Sequence, residues 1–66
     1  MIYDNHNEEI SVNGKRFDLE VKRDERIGAW RWKLNSRDTS LKRDGVASMP
    51  NLALREARGV AFKMAA

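Results

Sequence analysis

Apolar and polar residues alternate with a period of two along most of the first two-thirds of this chain, then change to a helical period, which predicts a sheet followed by one helix. The clearest alternation is Ala29-Trp30-Arg31-Trp32-Lys33-Leu34. It turns both tryptophans and Leu34 to one face and Arg31 and Lys33 to the other, as a half-buried antiparallel strand requires. Upstream, Asn13-Gly14 separates two alternating runs and is the dipeptide favoured in a two-residue type I′ hairpin, where both positions need positive φ. With that loop Val12 faces Lys15, Ile10 faces Phe17 and Glu8 faces Leu19, so Ile10, Val12, Phe17, Leu19 and Val21 share one face.

A charged loop over residues 22–28 would return the chain so that the tryptophan strand lies beside the second strand. Pairing Val21 with Trp30 then sets Leu19 against Trp32 and Phe17 against Leu34. On the opposite face the same register matches Glu20 with Arg31 and Asp18 with Lys33, pairs that each contribute about 0.2 to 1 kcal/mol. Asn35-Ser36-Arg37-Asp38 reads as a turn, residues 39–42 fit a short fourth strand at the edge, and Asp44-Gly45 reads as a second turn. Lys42 and Arg43 suit an exposed edge, since cations there discourage pairing with other chains.

Residues 48–65 read as the helix, with Ser48 as N-cap and Pro50 in the first turn, followed by good helix formers. A helical wheel gathers Pro50, Ala53, Leu54, Ala57, Val60, Ala61 and Met64 on one side. Leu52 and Phe62 project from the other side, near Arg55, Arg58 and Lys63. Residues 1–7 show no period and read as a mobile or loosely docked arm, which leaves one domain over residues 8–66. The expected fold is therefore α+β: a three-stranded antiparallel meander, extended by the fourth edge strand if it forms, packed on one C-terminal helix. Its expected core is Ile10, Val12, Phe17, Leu19, Val21, Trp30, Trp32, Leu34, Ala53, Leu54, Ala57, Ala61 and Met64.

Composition narrows what such a domain does. A chain of 66 residues without cysteine depends on its apolar core, having neither disulfide nor thiolate metal site. His6 is the one histidine and stands in a polar terminus without a second ligand, so no metal or cofactor is expected. Carboxylates are scattered, the serines have no histidine nearby, and there is no glycine-rich phosphate loop, which argues against an enzyme. No apolar run approaches the roughly 20 residues that span a bilayer, and the acidic, polar first residues do not resemble a signal peptide. The expectation is a cytoplasmic protein that makes no membrane contact.

The net charge of +3 permits an anionic partner. The first nine residues are acidic, and every lysine and arginine lies between Lys15 and Lys63. Candidate nucleic-acid contacts are Arg16, Lys22, Arg23, Arg26, Arg31, Lys33, Lys42 and Arg43. The pairs Lys22-Arg23 and Lys42-Arg43, with Arg26, are expected to gather at one end of the sheet, where they could contact phosphates. Candidate partner-binding residues on the outer helix face are Leu52, Arg55 and Phe62, since an exposed aromatic among cations can mark a contact surface.

The order sheet, Gly28-Ala29-Trp30-Arg31-Trp32-Lys33-Leu34, polar turn, and alanine-rich helix ending Ala61-Phe62-Lys63-Met64-Ala65 resembles the plant ethylene-response-factor type of DNA-binding domain and the similar amino-terminal domains of phage-type integrases. The resemblance covers residues 17–65. It implies a three-stranded sheet laid in the major groove and backed by a helix, with Arg16, Arg31 and Lys33 facing the groove. Element order is also similar to that of HicB-type antitoxins, a likeness that implies binding to a protein partner. Two expectations follow: a non-enzymatic domain for protein contact or self-association through the outer helix face or the exposed sheet edge, or a nucleic-acid-binding module working through the polar face of the sheet and the basic loops.

Overall fold

A computed structural model describes residues 5–66 of the chain. Four antiparallel strands, β1 (Asn5–Val12), β2 (Lys15–Asp24), β3 (Ala29–Ser36) and β4 (Lys42–Ala47), form a meander in the order β1-β2-β3-β4, and α1 (Pro50–Ala65) packs across one face. The hairpin has the register its turn dictates: Val12 pairs with Lys15 and Ile10 with Phe17, with Asn13 at φ 52° and Gly14 at φ 79°. β1 begins earlier than the pattern suggests. Asn5, His6 and Asn7 pair with Lys22, Val21 and Glu20, so they belong to the sheet, while residues 1–4 of the expected arm lie outside the described residues.

The tryptophan strand keeps its predicted faces but slides by two residues. Trp32 pairs with Val21, Leu34 with Leu19 and Ser36 with Phe17, because β2 runs on to Asp24 and the connection shrinks to Glu25-Arg26-Ile27-Gly28. A two-residue shift preserves which side chains are buried, since the strand period is two. It exchanges the charge partners: Glu20 now opposes Lys33, and Asp18 opposes Asn35.

The fourth strand exists and lies later than expected. It spans Lys42–Ala47, and Asp44 and Gly45 sit inside it, paired with Lys33 and Trp32, instead of forming a turn. The reason is steric and non-local. A Cβ at Gly45 would stand 2.6 Å from Cε2 and Cζ2 of Trp32, so the glycine makes room for the indole to lie across the edge strand. The preceding connection is held by Arg37 N–H to Arg16 O (3.0 Å), Ser36 N–H to Leu41 O (3.0 Å) and Arg16 N–H to Asp38 Oδ2 (3.2 Å).

The helix starts at Pro50 and its N-cap is Met49, not Ser48. Proline drives the residue before it into extended backbone, which is where Met49 stands (φ −138°, ψ 150°), so the first helical residue is the proline itself. No side chain caps this end, and Ala53 N–H reaches Met49 O at 3.0 Å.

Phe17, Leu19, Val21 and Leu34 are essentially inaccessible to solvent, and Ala53, Ala57 and Ala61 press on them from the helix. Burying a large apolar side chain contributes about 1.5 to 3 kcal/mol. Ile10, Trp30, Leu54 and Met64 of the expected core are half-buried at its margin, and Ala47 and Ala65 complete it. Trp32 buries its ring, with Nε1–H donating to Glu56 Oε1 at 3.4 Å.

Candidate interaction surfaces

The fold leaves two surfaces with functional potential: the sheet face away from the helix and the outer face of α1. Register fixes the first. Arg16, Lys22, Arg31, Lys33 and Lys42 project from it, and so do Glu9, Asp18, Glu20, Asp24 and Asp44, so cations and carboxylates are equal in number among the described strand residues. Acid dominates over β1 and β2 and base over β3 and β4.

Several of these charges are already matched. Arg31 Nε donates to Asp24 Oδ2 at 2.6 Å, and that bond, backed by the Arg26 N–H and opposed by burial, holds the Asp24 carboxyl below its ordinary value. Arg37 reaches back from the β3–β4 connection to Asp18 (Nε to Oδ2, 3.0 Å) and Glu9 (Nη1 to Oε2, 3.4 Å). The hydrogen bond and charge of Asp18, then the charge of Glu9, raise the Arg37 guanidinium further above its usual range.

The expected basic cluster divides. Lys22, Arg23, Arg26, Arg31 and Lys33 line one shallow depression beside the β2–β3 connection, shared with Glu20, Asp24 and Glu25. Lys42 and Arg43 do not join it, because their partners in β3 are Asn35 and Leu34, at the opposite end of that strand. Arg16 lies nearer that opposite end too, beside the hairpin turn, and Arg43 donates to the Lys42 carbonyl at 2.8 Å.

The outer helix face is different in character. Phe62 is 63 % exposed, the most exposed of the large apolar residues among those described. Together with Leu54, Arg55, Arg58, Gly59 and Asn51 it forms an open patch on the outer face of α1. Of the three residues expected at this surface, the structure brings Arg55 and Phe62 together. Leu52, 37 % exposed, lies outside that patch.

Arg58, expected near Phe62 but not as a contact residue, and Gly59 join Arg55 and Phe62 on this face, since helical spacing sets Arg58, Phe62 and Leu54 on one flank. Arg58 is held by Glu8: Nη2 donates to both carboxylate oxygens at 3.0 Å, while His6 Nε2 donates to Oε1 at 2.8 Å. Burial raises the Glu8 carboxyl, but the His6 and Arg58 hydrogen bonds and the Arg58 charge outweigh it and leave the group below its ordinary value. Glu8 therefore ties β1 to the flank of α1.

Among the described residues no three His, Asp or Glu side chains converge as metal ligands would, and no helix is long and apolar enough to cross a membrane. No family model, no curated protein and no solved structure matches this chain.

Proposed function

We propose that this chain is a non-enzymatic binding module that works through protein contact, with the outer face of α1 as its contact surface. The observation that carries this reading is Phe62, a large aromatic side chain left exposed on the outer face of α1. Aromatic and arginine side chains are the types most enriched where protein interfaces concentrate their binding energy, and Arg55 and Arg58 flank this one.

A second reading, nucleic-acid binding through the polar sheet face, draws on the five cations around the β2–β3 depression. The balanced charge of that face and the commitment of Arg31 to Asp24 weigh against it, because phosphate binding is driven by uncompensated positive charge.

Photo-crosslinking from the full chain separates the two. A benzophenone side chain at position 62 is expected to give protein adducts in the cells that make the chain, with none from position 33 on the polar sheet face. Adducts to nucleic acid from position 33, with none to protein from position 62, would overturn the protein-contact reading.

A further inference from the structure

Besides its two faces the sheet has two edges, β1 and β4, and they are built differently. β4 is short and carries Lys42, Arg43 and Gly45, and Arg43 Nη1 donates to the Lys42 carbonyl at 2.8 Å, taking a backbone acceptor that a joining strand would need. Short length, cations and glycine all discourage further pairing. β1 has none of these: Asn5–Val12 includes no lysine, arginine, proline or glycine. Its two carboxylates are matched from within, Glu8 by Arg58 and His6 and Glu9 by Arg37. α1 packs mainly on β2, β3 and β4, and among the described residues no strand lies beyond β1.

The hairpin fixes what this edge offers. Val12 and Lys15 close the two-residue turn as a hydrogen-bonded pair, and in an antiparallel ladder such pairs alternate with non-hydrogen-bonded ones. The even-numbered residues of β1 therefore direct their backbone groups to β2, whereas Asn5, Asn7, Glu9 and Ser11 point their N–H and C=O outward.

We propose that β1 is a homodimer interface, where a second copy of this chain pairs its own β1 antiparallel about Asn7 and joins the two sheets into one. Charge selects both occupant and register. A two-fold axis normal to the sheet sets one residue of β1 opposite its own copy. Centred on Asn7, it places His6 of one copy opposite Glu8 of the other and Asn5 opposite Glu9, each match made twice. Centred on Glu8 or Glu9 it would set like charges face to face, which is destabilising, and centred on Ile10 it would set the Glu8 carboxylate against Val12. His6 and Glu8 fall in a non-hydrogen-bonded pair, the kind that brings side chains closest. This edge lies apart from Phe62, so the outer-face reading is independent of it.

The test is sedimentation velocity on the full chain from about 10 μM to about 1 mM, with amide exchange read by NMR at both ends of the range. The chain is expected to pass from monomer to dimer, and the amides of Asn5, Asn7 and Glu9 to gain protection as it does. Asn7→Lys and Asn7→Asp are each expected to raise the dissociation constant about tenfold, because the Asn7-centred register sets position 7 against itself. An equimolar mixture of the two variants is expected to dimerise at least as tightly as the parent, a recovery that damage to the fold cannot produce. A chain still monomeric at about 1 mM would overturn the proposal, as would assemblies that grow beyond a dimer. Tighter association of Asn7→Lys would overturn it too, since that requires the Glu8-centred register, in which residue 7 meets Glu9. A dimer lost in Phe62→Ser but kept in Asn7→Lys would move the contact to α1 and overturn the edge.

Discussion

The indole of Trp32 and the missing side chain of Gly45 are two halves of one packing arrangement: the ring occupies the space, 2.6 Å from the ideal Cβ position, that any other residue at 45 would need. Gly45→Ala is expected to cost about 1 to 3 kcal/mol, the usual penalty for overfilling a packed site, read from urea unfolding followed by tryptophan fluorescence. In a Trp32→Leu background the same substitution should cost distinctly less. Equal costs in both backgrounds would show that the ring does not set the identity of residue 45.

That pair also marks where sequence reasoning stops. Asp44-Gly45 has the composition of a turn, and only the ring arriving from β3 makes it a strand interior. Local chemistry was enough for the first hairpin, because Asn13-Gly14 leaves one register. For the tryptophan strand, alternation reveals faces but not position along the partner, so a two-residue slide is invisible to it. The same limit applies to the surfaces. A helical wheel places Phe62 and Arg55 outward, but the ties from Arg37 to Asp18, Arg58 to Glu8 and Trp32 to Glu56 join residues 19, 50 and 24 positions apart. No pattern along the chain carries them.

Glycines elsewhere should respond with opposite signs. Gly14 holds φ 79° in the β1–β2 turn, and Gly14→Ala is expected to lose about 1 to 2 kcal/mol, the penalty for placing a Cβ in left-handed backbone. Gly59→Ala should instead gain about 1 kcal/mol, because open space surrounds it. Thermal melts of the two variants check both signs.

Core and outer helix face are separable by mutation. Leu34, fully buried, is expected to cost about 2 to 5 kcal/mol when cut to alanine, whereas Phe62→Ser should stay within about 0.5 kcal/mol, since the ring is 63 % exposed. A large loss from Phe62→Ser in chemical denaturation would assign that ring to the fold and remove it from the proposed contact surface.

Acid should weaken the molecule through Glu8. Burial pushes its carboxyl up, but the hydrogen bonds from His6 and Arg58 and the Arg58 charge hold it below the ordinary glutamate value. A group whose folded pKa is depressed contributes fully above its unfolded value and loses that contribution as pH falls through the folded one. Unfolding free energy followed from pH 7 to about 2.5 should therefore decline less steeply below about 4.5 in Glu8→Gln than in the parent. Parallel curves would exclude the Glu8 tie as a source of acid sensitivity.

The fully buried positions of α1 are all alanine, Ala53, Ala57, Ala61 and Ala65. Such a stripe is smooth: it has no χ1 rotamers to key into the sheet, so it sets how near the helix lies and resists axial sliding weakly. Leu54, Val60 and Met64 pack at its margins, and two flank contacts add to them, Glu56 to the Trp32 indole on one side and Arg58 to Glu8 on the other. The position of the helix along its sheet is therefore set at the flanks of the stripe, where polar and larger apolar side chains meet the sheet.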